Sequence, residues 1–464
     1  MLTLLLCVSC VDAHGMKRSL HPHDRLMRRS EDHHVNTTMI DQAFSGIMSM
    51  QRASWEQGVL QSAVTEYYYP QWSVFKKPGH ELYPKPKTLS IKDQPIHLLR
   101  LAMSSIDGQD SAGRLASVIT GDESTGRGAS MDSASCGEGV LVGAWIREGF
   151  PNNKPDTRGM FGQAAQKQLD YLLHNVKRTP SGALSQRAGS SDPELWSDSA
   201  YMGPPFLAFY GLVTNNQTLV QMAFDQLRLQ HKALARTQGT GRNLWHHIVR
   251  FPNARNKSDT QLIDARVWLT GNGWAAAGML RVAAIISQSP WTDKMKDQYH
   301  QLLDWAEDIV SATYFFVDRG TGLMRNVVDN PKTFYDGSGS ALMAYAAFRL
   351  GSMDEQRRDQ IQWAENAYQT LSRALDPFSQ FTNGIQTVNE MSSGEVGVTS
   401  TESLAFLILL SAARRDYYQG NTTGTGGAVD PPAPDSSAAS VHVRSTVVAC
   451  TLIAACMWVM VSSL

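Results

Sequence analysis

The sequence predicts an all-α fold, an (α/α)6 barrel of six helical hairpins. Three observations predict it. Apolar residues recur every three or four positions through most of the chain, the period of a one-faced helix. Between those stretches lie segments that are apolar on nearly every side, the pattern of a helix buried all round. The two kinds alternate, six of each, and strand-like runs are scarce. An irregular helical bundle is the competing arrangement on pattern alone.

The pairs follow one another in order. An amphipathic stretch at 38–50 precedes the weakest buried segment, WEQGVLQSAVTEY (55–67). The stretch 95–118 precedes GEGVLVGAWI (137–146). In 161–176, Phe161, Ala165, Leu169, Leu172 and Val176 share a face, ahead of a buried run at 199–213. The stretch 217–235 leads to GNGWAAAGMLRVAAII (271–286). In 292–312, Met295, Tyr299, Leu302, Ala306 and Ile309 form the stripe, ahead of SALMAYAAFRL (340–350). In 354–375 it is Ile361, Ala364, Tyr368, Leu371 and Leu375, ahead of TESLAFLILLSAAR (401–414).

If the buried helices all run the same way, their N-termini share one rim. Polar and aromatic residues gather at those starts: Trp55 and Glu56; Met131 and Asp132; Trp196 and Asp198; His246, His247, Trp268 and Trp274; Tyr335 and Asp336; Thr399 and Glu402. Helix starts favour acids as caps, so each acid taken singly reads first as a cap. Aromatic platforms beside carboxyls also suit a sugar ring, which offers apolar C–H faces and polar edges. Asp198 sharpens the choice, because it lies inside the apolar run LWSDSAYMGPPFLAFYGL (195–212). A carboxylate buried without a partner is costly. Either Asp198 caps a helix, or its protonation state is used in chemistry.

The ends read as removable. Residues 1–13, MLTLLLCVSCVDA, form a signal peptide closing on small residues. Residues 14–35 form a pro-segment or disordered arm with dibasic pairs at Lys17-Arg18 and Arg28-Arg29. The helical domain is expected over 36–418. A Gly/Pro/Ser linker follows over 419–446, with small residues at Ser436-Ser437-Ala438 for glycolipid attachment, then an apolar tail over 447–464 that anchoring removes. An ordinary transmembrane helix is the alternative for the tail. This order predicts a cell-surface protein held at the outer leaflet of the plasma membrane by a GPI anchor. Four of the five cysteines lie in the removable ends, leaving Cys136 as a small buried hydrophobe. Sequons at Asn36, Asn216, Asn256 and Asn421 fit export.

A net charge of −1 and no basic stripe argue against a nucleic-acid partner. There is no P-loop, dinucleotide glycine pattern or His/Cys metal spacing, so neither cofactor nor metal is expected. No obligate protein partner is inferred either; the expected partner is an oligosaccharide.

LWSDSAYMGPPFLAFYG, NLWHHIV, VWLTGNGWAAAGMLRV and GLMRNVVDNPKTFYDGSGSALMAYA together resemble glycoside hydrolase families 88 and 105, over roughly Met39 to Arg415. SWEQGV looks like a fungal branch of that group. The resemblance implies unsaturated glucuronyl or rhamnogalacturonyl hydrolases on six-hairpin barrels. Such enzymes hydrate the C4=C5 double bond of a terminal unsaturated uronyl residue on pectin- or glycosaminoglycan-derived oligosaccharides. It also implies Asp198 as the catalytic acid and base, Asp132 as a second acid near the double bond, and Met131, His247, Trp268, Thr270 and Trp274 as substrate-binding positions. Thr270 stands where the bacterial pattern commonly has an arginine that holds the substrate; Arg266, Arg242 and Arg250 are the possible substitutes. Asp336 stands where a glutamate is expected. Two other readings remain open at this point: a related hydrolase acting on a different cell-wall glycan, and a non-catalytic surface glycan-binding protein.

Overall fold

The computed structural model describes residues 36–76, 94–117, 128–150, 152, 154–252, 261–387 and 399–420. The expected leader, N-terminal arm, anchor site, tail and all but the first two residues of the linker lie outside these residues, as do the sequons at Asn256 and Asn421.

Among the described residues, twelve helices longer than two turns carry the fold: α1 (Thr37–Ser49), α2 (Ser54–Tyr68), α3 (Ile96–Asp107), α4 (Gly137–Arg147), α5 (Met160–Asp170), α6 (Pro204–Val213), α7 (Gln217–Leu234), α8 (Leu269–Gln288), α9 (Lys296–Tyr314), α10 (Gly337–Met353), α11 (Ile361–Ala374) and α12 (Thr401–Gln419). The even-numbered helices form the inner ring. Each packs on the next, and α12 packs on α2 to close it. The odd-numbered helices lie outside, α7 against α6, α9 against α8 and α11 against α10. This is the expected (α/α)6 barrel.

Sequence explains which helix goes where. Every residue of α6 and α10 is buried, because no face of either is polar enough to solvate. In α9 only one stripe is buried, built on Leu302, Leu303, Ala306, Ile309 and Val310. Its other face carries charge and stays wet.

The inside of the ring is not wholly apolar. Glu66 of α2 accepts hydrogen bonds from Arg281 of α8, from Arg349 of α10 at 2.7 Å and from the Tyr345 hydroxyl at 3.1 Å. Arg281 also pairs with Glu138 of α4, and Arg349 with Asp416 of α12 at 2.8 Å. Five inner helices are thereby cross-linked by buried charges. Such charges are tolerable only when paired and hydrogen-bonded.

Three element boundaries differ from the sequence expectation. The stretch 95–118 is helical only to Asp107, where Gly108 caps the helix and Asp110 turns the chain by accepting from the Arg114 amide at 2.9 Å. The buried run 199–213 is a single turn at Ser199–Met202 followed by α6, broken at Gly203 before Pro204. The stretch 354–375 becomes helical at Ile361. A small antiparallel sheet, β1 (Glu194–Trp196), β2 (Ile248–Arg250) and β3 (Gln261–Asp264) in that order, was not expected. It is minor in size, but it builds one wall of the site.

Candidate active site

A cleft of about 800 Å³ opens where the starts of the inner helices converge. Trp55 and Glu56 of α2, Asp132 from the turn entering α4, Trp196, Asp198 and Met202 from the segment entering α6, Trp268 and Trp274 at the start of α8, and Glu402 of α12 line it. Arg187, His247, Asp264 and Arg266 reach it from the loops and the sheet.

The sheet sets the register of the residues around Asp198. Trp196 lies opposite Ile248 across β1 and β2. The Ser197 amide donates to the His247 carbonyl at 2.9 Å, and the His247 amide donates to the Arg266 carbonyl at 3.0 Å. Asp198 follows immediately. Helix α8 comes close behind this segment because it has glycine where it crosses. A Cβ on Gly271 would stand 2.2 Å from Ser197 Oγ, and one on Gly278 would stand 2.2 Å from the Ala200 carbonyl oxygen. Any side chain at Gly278 would therefore push the backbone that carries Asp198.

His247 is 5% exposed, with its ring edge-on to Trp196 at 5.4 Å and to Trp268 at 4.9 Å. Its Nδ1 lies 2.9 Å from Asp264 Oδ2. Asp264 is also gripped by Arg266, Nε to Oδ1 at 2.8 Å and Nη2 to Oδ2 at 2.7 Å. Burial pushes the Asp264 carboxyl up, but the hydrogen bonds from His247 and Arg266 outweigh it and hold it well below the usual range. An ionised Asp264 accepts only, so His247 Nδ1 carries the hydrogen. In the neutral ring Nε2 is the lone-pair nitrogen, and among the described residues it has no hydrogen-bond partner. The same holds for Trp268 Nε1 and Glu402 Oε1, both buried. Leaving such an atom buried and unmatched costs about 1–3 kcal/mol. All three belong to residues that border the cleft.

The structure separates the acids that cap from those that do not. Asp336 is a cap: its Oδ1 accepts from the Gly339 amide at 3.0 Å, and its Oδ2 accepts from Asn326 at 2.8 Å and Thr270 at 3.3 Å. It is wholly buried and does not border the cleft. Glu56 does both. It accepts the Ala53 amide at 2.6 Å and also lines the cleft. Burial pushes its carboxyl up to about 7, against the pull of that amide and of Arg52. Asp198 is half-buried and makes no capping bond to the turn that it precedes. Asp132 accepts from Gln186 Nε2 at 2.5 Å.

Of the residues singled out in the sequence, Asp132, Asp198, His247, Trp268 and Trp274 come together on the cleft. Trp274 also packs, its ring 4.6 Å from Tyr201 and 4.7 Å from Phe406. Met131 and Thr270 are not among the residues that line the cleft. Thr270 lies on the face of α8 turned toward the Asp336 cap, and Met131 packs behind Gly203.

The possible replacements for an arginine at Thr270 are mostly committed. Arg250 pairs with Glu194 at 3.1 Å, Arg266 is spent on Asp264, and Arg242 does not line the cleft. Arg187, which no sequence pattern marked, stands on the cleft wall with its guanidinium 5.6 Å from the Trp196 ring centre. Its side chain makes no ion pair or hydrogen bond among the described residues. Sequence reasoning also missed Asp264 and Gln186, both carried on loops and short strands without periodicity.

Fold and cleft define a glycoside hydrolase. The chain belongs to Glycosyl Hydrolase Family 88, whose sequence profile matches residues 151–423. Among solved structures, it is similar to a possible member of the GH105 family from Klebsiella pneumoniae subsp. pneumoniae MGH 78578, at 16% identity over 87% of this chain and 100% of that one, with a TM-score of 0.61. The unsaturated glucuronyl hydrolase of Bacillus sp. GL1 is 15% identical over 80% of this chain and 100% of that one, TM-score 0.50. A family 76 glycoside hydrolase from a bovine Bacteroides thetaiotaomicron strain is 14% identical over 81% and 77%, also with a TM-score of 0.50. At these identities the likenesses speak for the barrel and not for a substrate.

Proposed function

We propose that this hydrolase adds water across the C4=C5 double bond of a terminal unsaturated uronyl residue on pectin- or glycosaminoglycan-derived oligosaccharides and so releases it from the neighbouring sugar. The observation that carries the reading is the pair Asp198 and Asp132 on one aromatic-walled cleft that His247 also lines. Family membership supports the reaction class.

In this reading Asp198 delivers its proton to C4. The double-bond electrons form the new C–H bond, and positive charge at C5 is shared with the ring oxygen. Water bonds to C5 and returns a proton to Asp198. The hemiketal at C5 opens to a ketone, leaving C1 as a hemiacetal that sheds the aglycone. Aromatic walls favour the neutral form of the acid before transfer. His247 Nε2 accepts from a sugar hydroxyl or from the water. Arg187, uncommitted and stacked on Trp196, is the cation available to a uronate carboxylate in the absence of an arginine at Thr270.

The test is loss of the ultraviolet absorbance of the conjugated double bond when the protein meets lyase-generated pectin and glycosaminoglycan fragments. Sugar release from saturated glycans without that loss would favour a different glycan substrate. Binding without turnover would make the chain a glycan-binding protein.

We further propose that the protein is displayed at a fungal cell surface through a glycolipid anchor. Support comes from the order of its terminal segments, and from Asn36 and Asn216, which are exposed sequon asparagines using only Oδ1 for their helix caps. Release by a phosphatidylinositol-specific phospholipase tests the anchor.

A further inference from the structure

We propose that Glu402 is a substrate-binding residue that donates the O–H of its carboxyl, through Oε1, to an acceptor oxygen of the sugar held in the cleft.

Glu402 is the second residue of α12 and borders the cleft, yet none of its surface meets solvent. It does not cap α12; Ser400 does, accepting from the Ser403 amide at 3.1 Å. Its two oxygens are unequal. Oε2 accepts from Trp55 Nε1 at 3.2 Å, and Oε1 has no hydrogen-bond partner among the described residues. An indole N–H can only donate, so Oε2 is held as an acceptor. The carbonyl oxygen of a neutral carboxyl is the better acceptor, so the indole favours the proton on Oε1, the oxygen left for a ligand.

The surroundings keep that proton in place. The charged groups acting on Glu402 are Glu56 from α2, Asp336 at the cap of α10 and Asp198 from the segment entering α6, all acids. Arg52 stands beside Glu56. Burial and then these neighbours drive the Glu402 carboxyl well above its ordinary range, against the pull of the Trp55 hydrogen bond. A neutral acid gives the cleft a donor where a carboxylate would repel the oxygens of a sugar acid. Such a donor meeting a uronate oxygen forms a charge-assisted bond.

The proposal rests on the reaction above only for its kinetic assay. Glu402→Gln keeps the shape and offers an amide N–H to the ligand, whereas Glu402→Ala offers nothing. The expected result is that E402A raises KM about tenfold while E402Q raises it less. In the wild type KM should climb at alkaline pH as Glu402 ionises, and in E402Q it should stay level over the same range. Equal KM values in E402A and wild type, or the same alkaline climb in E402Q, overturn the proposal. A substrate-free measurement keeps the two readings apart. Infrared spectra of the wild type at pH 7 should show a protonated-carboxyl band that E402Q lacks. If no unsaturated uronyl substrate is turned over, the proposed reaction falls, yet the band still decides Glu402; spectra without that difference overturn the proposal.

Discussion

Nδ1 of His247 and Oδ2 of Asp264 stand 2.9 Å apart, with Arg266 clamped on the same carboxylate. The pair acts as a unit, since Asp264 holds the hydrogen on Nδ1 and so leaves Nε2 of the neutral ring as an acceptor. Asp264→Asn weakens that hold and removes the negative charge that would steady a protonated imidazole. Expected is a fall of about tenfold or more in kcat/KM, equivalent to losing roughly 1.4 kcal/mol of transition-state stabilisation. His247→Ala should cost at least as much, and the double variant no more than the worse single one. Strictly additive losses would show that the two side chains work independently.

Asp198→Asn removes the proposed proton donor while keeping the shape of the side chain. Because asparagine matches the size of the side chain and can still accept and donate hydrogen bonds, the melting temperature should change little. Turnover should fall by about 10²–10⁴-fold or more, the usual weight of general acid–base assistance. A near wild-type rate on an authentic unsaturated substrate would end the assignment.

The division into inner and outer helices was legible because burial on all sides and burial on one side leave different periodicities. Helix ends were less so. Gly108 and Gly203 act through local turns that an apolar count passes over. The site was legible in part, and the misses have physical causes. An inner helix such as α8 is apolar all round, so its sequence cannot say which face meets the cleft. Trp274 lines it and Thr270 is not among the residues that do. Asp264 and Arg187 sit on a four-residue strand and a loop, too short to carry any period. Their roles appear only once the sheet brings β1, β2 and β3 together.

The Glu56 carboxyl yields a pH-dependent stability. Burial raises it from 4.5 to about 7 in the folded protein. A group raised on folding binds its proton more tightly in the native state than in the unfolded chain. Its contribution is complete below about pH 4.5, shrinks as the pH climbs, and is lost once the pH passes about 7. The span corresponds to roughly 3 kcal/mol. Unfolding midpoints in denaturant should therefore drop across that window, and Glu56→Gln should flatten the drop. Glu402, raised further, continues the decline at higher pH. Midpoints that rise from pH 5 to 8 in the wild type, or an unchanged slope in E56Q, would contradict this account.

Arg281 offers the sharpest test of the charges inside the ring. It pairs with Glu66 and Glu138, and its guanidinium lies 5.5 Å from the centre of the Tyr201 ring. Tyr201 in turn donates its amide to the Asp198 carbonyl at 3.0 Å. Arg281→Met keeps much of the volume but leaves two buried carboxylates short of a cation, at a cost of about 3–5 kcal/mol. Burial already pushes Glu138 up, and Arg281 is what opposes it. Without Arg281, Glu138 takes a proton on folding, so the variant should lose less stability at acidic than at neutral pH. Adding Glu138→Gln to Arg281→Met should then recover part of the loss at neutral pH, because the amide needs no counter-charge. Denaturant unfolding of the single and double variants at two pH values checks both signs. If E138Q deepens the loss instead, the cost lies in packing around Tyr201 rather than in an unpaired charge.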